Sequence, residues 1–82
     1  MPYISAEDRQ RLRTARSETV GELTYELTEV CTGYLEDRPQ SFTWYAEVVA
    51  ALEAAKLEFY RRVLAPYEDT KIDENGDVYN VD

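Results

Sequence analysis

Residues 43–65 read TWYAEVVAALEAAKLEFYRRVLA and contain neither glycine nor proline. Most of these residues are strong helix formers. Apolar residues recur among them at steps of three and four, which places them on one face of a helix. They are Tyr45, Val48, Leu52, Ala55, Phe59 and Val63. Because the residue before a proline is disfavoured in the α region, Pro66 predicts that the helix ends at residue 65. We expect Leu52 to lie at the centre of the buried face.

A second amphipathic pattern precedes this helix. The stretch TVGE at residues 19–22 has the spacing of a capping box, and apolar residues then recur at helical spacing over residues 20–36. Pro39 interrupts the chain, and so short a connection makes neighbouring helices antiparallel. We therefore predict a helical hairpin of helices 20–36 and 43–65 whose apolar faces cover each other. Cys31 lies on the apolar side and is expected to be a small buried residue.

The two ends of the chain carry their own signals. A capping box at residues 5–8, SAED, predicts a short helix over residues 6–14. Its arginines form either an anion-binding arm or a solvated helix face. The solvated face is favoured, because runs of charged residues usually lie on the protein surface. They are Arg9, Arg11, Arg13 and Arg16. At the other end, Asn75-Gly76 is the preferred pair for a type I′ turn, which predicts a β-hairpin over residues 70–81. The chain is thus predicted to be one mainly α domain, residues 1–82.

Composition excludes several classes of function. The 82 residues carry a net charge of −8 and include no histidine and one cysteine. Nucleophile systems that depend on histidine are excluded, as are a zinc ribbon and a cysteine redox pair. The negative charge disfavours binding to DNA, RNA and anionic membranes. There is no apolar run of the roughly 18 residues that a membrane span needs, and no signal-peptide pattern. We expect a cytoplasmic, non-enzymatic protein without a cofactor or metal.

An acidic face on the second helix is the first candidate site. It consists of Glu22, Glu26 and Glu29. Such a face favours a basic protein partner, although it is also typical of an ordinary solvated helix surface. Glu26 and Glu29 supply half of the Glu-x-x-Glu and Glu-x-x-Asp pattern with which helical nucleotide pyrophosphohydrolases bind magnesium. The second half is missing, because the later Glu53 is followed three residues on by Lys56.

A cationic cluster in the long helix is the second candidate site. It consists of Lys56, Tyr60, Arg61 and Arg62. Arginine beside tyrosine suits a phosphate or a nucleobase. The alternative is ordinary pairing on the helix surface, of Glu53 with Lys56 and of Glu58 with Arg62. If the helix ends at residue 65, the arginines lie in its last turn, where the macrodipole disfavours an anionic ligand.

The long helix also carries more apolar side chains than one partner helix can cover. Those beyond the first face are Phe42, Trp44, Val49, Tyr60 and Leu64. Large exposed apolar surface is typical of an interface. We therefore expect a homo-oligomer, most simply a dimer in which two helical hairpins form a four-helix bundle.

Four stretches resemble a family of small uncharacterised proteins found in bacteriophages and bacteria. They are MPYI at 1–4, GELTY at 21–25, LEAAKLEFYRRVLAPYED at 52–69 and KIDENGDVY at 71–79. The resemblance implies a phage or prophage setting and no established active site. In that setting we expect a protein that binds a host or phage protein. The alternative is an oligomer that sequesters an anionic cyclic nucleotide, and a magnesium-dependent nucleotide hydrolase is a lesser alternative.

Overall fold

A computed structural model of the chain describes residues 2–79. Within that range the chain is mainly α-helical, as predicted, and contains no strand. Its helices are α1 (Ala6–Arg11), α2 (Val20–Leu35), α3 (Phe42–Phe59) and α4 (Ala65–Asn75), and a π-helical turn (Tyr60–Leu64) joins the last two. The chain divides into two compact units, Met1–Val48 and Val49–Asp82. The predicted pairing of helices 20–36 and 43–65 spans both units and stays a prediction, as does the single domain.

The helices of the first unit begin where the capping patterns place them. The Ser5 hydroxyl accepts a hydrogen bond from the Asp8 N–H at 3.0 Å, and the Thr19 hydroxyl accepts one from the Glu22 N–H at 3.1 Å. Each bond satisfies a backbone donor that the first turn of a helix leaves unpaired. Helix α1 is shorter than predicted, because the N–H groups of residues 13 and 14 bond to carbonyls three residues back and tighten the chain into turns.

Helix α1 lies against the acidic side of α2 and leaves the apolar side of α2 open. Leu12, at the end of α1, is 9% exposed, and it is the one buried apolar side chain among residues 2–79. Leu23, Leu27 and Val30 on α2 are between 47% and 72% exposed. Within the first unit, the apolar face of α2 is therefore not buried as expected. Cys31, predicted to be buried, is partly exposed.

The prediction that the long helix ends before Pro66 is wrong. Phe59 and Ala65 both have helical dihedral angles, and Pro66 lies at the start of α4. The Ala65 N–H bonds to the Tyr60 carbonyl, five residues back. In a regular α-helix the proline ring clashes with the carbonyl four residues before it, here that of Arg62. A wider π turn gives the ring room, so the helix passes through the proline.

The predicted β-hairpin is wrong where the structure describes it. Residues 70–75 belong to α4, and residues 76–79 have no regular structure. Residues 80 and 81 lie outside the described range. Gly76 adopts a positive φ of 91° and donates its N–H to the Ile72 carbonyl at 2.8 Å. The Asn-Gly pair therefore ends a helix, which is the other common use of a glycine at positive φ.

The second unit has no buried side chain among its described residues. Leu52, predicted to lie at the centre of a buried face, is 42% exposed, and Phe59 is 63% exposed. These side chains share a helix with no second described element of the unit over them. Within the second unit, the predicted burial of Leu52 is thus wrong.

Candidate functional site

An ion-pair network joins α1 to the beginning of α2. The Arg11 guanidinium donates a hydrogen bond to the Glu22 carboxylate, and lies 3.8 Å from Asp8 and 3.9 Å from Glu18. Glu22 also accepts the backbone N–H of Glu18 at 2.9 Å, and its side chain is 8% exposed. The bond from Arg11, with that from Glu18, holds the pKa of Glu22 below its ordinary value. Glu22 therefore anchors α1 and offers almost no surface to a partner.

The other two acids of the predicted face also have partners within the chain. The Ser17 hydroxyl donates to the Glu26 carboxylate, and the Tyr25 hydroxyl donates to Glu29 at 2.7 Å. That bond raises the pKa of Tyr25. The bond from Ser17 ties Glu26 to the segment that precedes α2, whereas the bond from Tyr25 to Glu29 lies within α2. The sequence periodicity distinguished this acidic face from the apolar face. It did not indicate that Arg11 of α1 would bond to Glu22.

A cleft of about 590 Å³ lies between α1 and α2. Arg9 and Arg13 line one wall, and Tyr25 and Glu29 line the other. The two arginines form no ion pair with another described residue. Their charge is opposed across the cleft by the carboxylates of α2. Because opposite charges share the cleft, it does not favour a simple anion.

The predicted cationic cluster lies in the second unit, and its cations pair with neighbouring acids. Lys56 lies 3.2 Å from Glu53. Arg61 donates two hydrogen bonds to Glu58, at 3.1 and 2.8 Å, and Arg62 lies 3.9 Å from the same carboxylate. The three cationic side chains are about 70% exposed. These are the surface pairs that the sequence offered as the alternative, with Arg61 as the closer partner of Glu58.

The position of this cluster along the helix differs from the prediction. Tyr60, Arg61 and Arg62 belong to the π turn, and the helix continues to Asn75. The partial negative charge of a helix C-terminus acts only in the last turn. This partial charge therefore lies near Asn75, and it does not oppose the binding of an anion at Arg61 and Arg62. Tyr60 is 49% exposed and presents an accessible ring.

A cluster that sequence reasoning missed closes the turn between α2 and α3. The Arg38 guanidinium lies 4.1 Å from the centre of the Tyr34 ring and 4.9 Å from that of Trp44. The rings meet edge to face, and the Tyr34 hydroxyl donates to Glu47 at 2.6 Å, which raises the pKa of Tyr34. Asp37, with φ of 65°, turns the chain so that Arg38 reaches the rings. The signal was an arginine in a tight loop between two aromatic residues, which had been assigned to apolar helix faces.

Each unit leaves one apolar helix face exposed. The α2 apolar face consists of Leu23, Leu27, Val30 and Tyr34, which are 40–72% exposed. The α3–α4 apolar face consists of Val49, Leu52, Phe59, Val63 and Tyr67, which are 42–66% exposed. Side chains of this size and number are normally covered in a folded protein. The faces are therefore candidate sites for contact with a partner.

Residues 1–78 match a protein family described as a domain of unknown function (DUF6899). The chain belongs to this family. Comparisons of the chain with curated proteins and with solved structures give no match. The family match confirms the expected membership of an uncharacterised family, and it assigns no role to any residue of the DUF6899 domain.

Two further observations bear on what the DUF6899 domain can do. Its described residues contain no group of three or more histidine, cysteine or acidic side chains placed to hold a metal ion. None of the helices within residues 2–79 combines the length and the hydropathy needed to cross a bilayer.

Proposed function

We propose that this DUF6899 domain is a non-enzymatic protein that acts by binding another protein, in the cytoplasm of a bacterial host or of a phage-infected cell. The observation that carries the proposal is the exposed α2 apolar face. Its four side chains follow one another at steps of four, three and four. This is the spacing with which an amphipathic helix packs against a partner.

The first unit holds this face in a fixed orientation. The bond between Arg11 and Glu22 attaches α1 to the side of α2 away from the apolar residues. The cluster of Arg38 on Tyr34 and Trp44 fixes the other end of the helix. A face that is ordered before binding loses less conformational freedom on association. The network therefore favours binding, and Tyr34 belongs both to the network and to the face.

The charge beside the face indicates the chemistry of the partner. Glu26 lies three residues after Leu23 and four before Val30, so its carboxylate borders the face. The chain as a whole carries a net charge of −8. We therefore expect the partner to be an amphipathic helix whose apolar stripe is flanked by lysine or arginine. Complementary charge raises the association rate and sets the orientation of the partner.

A matched pair of variants tests this surface. Leu27→Lys places a charge in the centre of the face, whereas Thr28→Lys places the same charge on the far side of α2. Proteins captured from host lysate by the wild-type domain are purified, and their affinity is measured by calorimetry. We expect Leu27→Lys to weaken binding by at least about tenfold, since a buried unpaired charge is strongly unfavourable, and Thr28→Lys to leave it unchanged. Equal binding of both variants would refute the proposal.

A second candidate function is capture of an anionic nucleotide by the cationic cluster. The observation in its favour is the position of Arg61 and Arg62 inside a continuous helix, away from the negative end of the macrodipole. The bidentate bond from Arg61 to Glu58 opposes it, because a phosphate must displace that carboxylate. Binding thus requires release of Glu58.

Thermal melts with cyclic and linear nucleotides test this candidate. A ligand at 100 times its dissociation constant stabilises the folded state by about 2.7 kcal/mol. Glu58→Gln should strengthen binding because it frees Arg61, whereas Arg61→Ala and Arg62→Ala should abolish the shift. If no nucleotide raises the melting temperature of the wild type or of Glu58→Gln, the cluster is an ordinary helix surface. Phosphate release in the presence of magnesium would instead support the lesser alternative, a nucleotide hydrolase.

A further inference from the structure

The second unit presents its apolar side chains along one line of a helix. Leu52, Phe59, Val63 and Tyr67 follow one another at steps of seven, four and four, and each is at least 42% exposed. An isolated helix of this length is marginally stable in water, because helices in proteins are stabilised by packing of an apolar face. The described residues of the unit supply no second helix to pack against it.

The π turn keeps this line straight. In a regular α-helix, residues four apart drift steadily around the axis, because a turn holds 3.6 residues. Steps of four from Phe59 to Val63 and on to Tyr67 cross Tyr60–Leu64, where the turn is wider and holds more residues. A spacing of four matches the wider turn better. The turn that accommodates Pro66 thus also aligns the apolar residues before and after it.

We propose that the occupant of this face is a second copy of the chain, packed antiparallel with a two-fold axis near Ala65. The argument is charge complementarity. Lys56, Arg61 and Arg62 against Glu58 give residues 56–62 a net charge of +2. Five acids against one lysine give residues 68–77 a net charge of −4. A parallel pair would place each charged segment beside its own copy, whereas an antiparallel pair places the two segments opposite each other.

The proposed axis also matches individual residues. A two-fold axis near Ala65 places residues on either side of it opposite one another in the two copies. Val63 then faces Tyr67 of the second copy, and Lys56 faces Glu74 of the second copy. Lys56 and Glu74 both continue the line of the apolar face at steps of three or four. An isologous interface repeats each of these contacts twice.

Charge reversal tests the pairing in solution. The dissociation constant of the dimer is measured by analytical ultracentrifugation for Lys56→Glu, Glu74→Lys and the double variant. We expect each single change to weaken the dimer by about tenfold, since it converts two attractive contacts into repulsive ones, and the double variant to restore it. The two residues lie 18 apart on one helix, about 27 Å, so the restoration cannot arise within one chain.

Asp69→Lys is the matched control, because it makes the same change of charge on the opposite side of α4. It should leave the dissociation constant within about twofold of the wild type. A protein that is monomeric at every concentration, or single variants whose losses add in the double variant, would overturn the proposal. Circular dichroism verifies that each variant keeps the helix content of the wild type.

Spin labels distinguish the orientation of the two helices. With Cys31→Ala as background, a nitroxide is attached at Ala54→Cys or at Ala65→Cys. In the antiparallel dimer, the two copies of residue 54 are displaced by about 33 Å along the helix, while those of residue 65 lie at the same level on the outer sides of the helix pair. The distance between labels should therefore be clearly longer at residue 54 than at residue 65, whereas a parallel pair would give equal distances at both sites. Equal distances at both positions would refute the antiparallel arrangement. The α2 apolar face lies in the other unit, so failure of this dimer leaves the proposed partner binding untouched.

Discussion

Pro66→Ala tests why the long helix runs through a proline. Pro66 lacks an N–H and lies inside a run of helical residues from Phe42 to Asn75. Within a helix, proline is less favourable than alanine by about 3 kcal/mol. The π turn already relieves part of this penalty, because the Ala65 N–H bonds to the Tyr60 carbonyl. We therefore expect the substitution to stabilise the helix by about 1–3 kcal/mol.

The assay is thermal unfolding followed by far-UV circular dichroism, at a concentration low enough for the chain to be monomeric. For a domain of this size the expected gain raises the melting temperature by roughly 5–20 °C. Ala54→Pro is the control, since α3 has no π turn before that residue. It should cost about 3 kcal/mol or more and break the helix there. A Pro66→Ala protein that melts at or below the wild-type temperature would refute the explanation.

The same substitution separates helix stability from self-association. Without the proline ring, the π turn is free to close into a regular α turn. Tyr67 then rotates away from the line of Leu52 and Phe59, so the proposed dimer should weaken although the helix is more stable. Hydrogen exchange at residues 60–65 reports the change of turn, and ultracentrifugation reports the dimer. An unchanged dimer with a closed α turn would show that the π turn does not serve the interface.

Three further predictions concern the first unit. Leu12→Ala should destabilise the attachment of α1 by about 2–5 kcal/mol, because it empties the site of a buried leucine, and hydrogen exchange in α1 would measure the loss. Because Arg11 lowers the pKa of Glu22, the stabilisation from this pair should be complete above the ordinary glutamate pKa and be lost as the pH falls through the lowered one. Glu22→Gln should remove that acid dependence from the unfolding curve. The Tyr34 hydroxyl, whose pKa is raised by Glu47, should titrate at lower pH in Glu47→Gln when followed by its ultraviolet absorbance.

The positions of the helices were predictable from local sequence, and the effect of one proline was not. Capping patterns and periodicity placed the beginnings of α1 and α2 correctly, since caps act within one turn. A proline ends most helices in which it occurs. Only the backbone geometry of residues 60–65 reveals the widened turn that accommodates Pro66. Once the helix continues, Asn75-Gly76 becomes its end rather than the turn of a hairpin. A single local error therefore changed the predicted structure of all the residues that follow.

The candidate sites were predictable as groups of residues, and their partners were not. Periodicity collected Glu22, Glu26 and Glu29 on one side of α2, but the bond from Arg11 to Glu22 depends on where α1 lies, which is a tertiary property. The ion pair of Lys56 with Glu53 was predicted, because both partners lie within one helical turn. Glu58 was predicted to pair with Arg62, which lies 3.9 Å away, whereas its closer partner is Arg61 at 2.8 Å. Long-range contacts such as that of Arg11 leave no periodic signal in the sequence.

The distribution of apolar surface connects the two proposals. The hydrophobic residues make up 44% of the chain, yet Leu12 is the one apolar side chain that residues 2–79 bury. Burial of apolar surface is the main favourable term in folding. This chain therefore gains little stabilisation from burial until a partner covers the α2 apolar face or the α3–α4 apolar face. A partner that binds only the folded helix shifts the folding equilibrium by mass action. The melting temperature should therefore rise with protein concentration through the second unit, and with added partner through the first. Leu27→Lys should abolish the rise with added partner and leave the rise with protein concentration. That result would show by one kind of measurement that the two faces act separately.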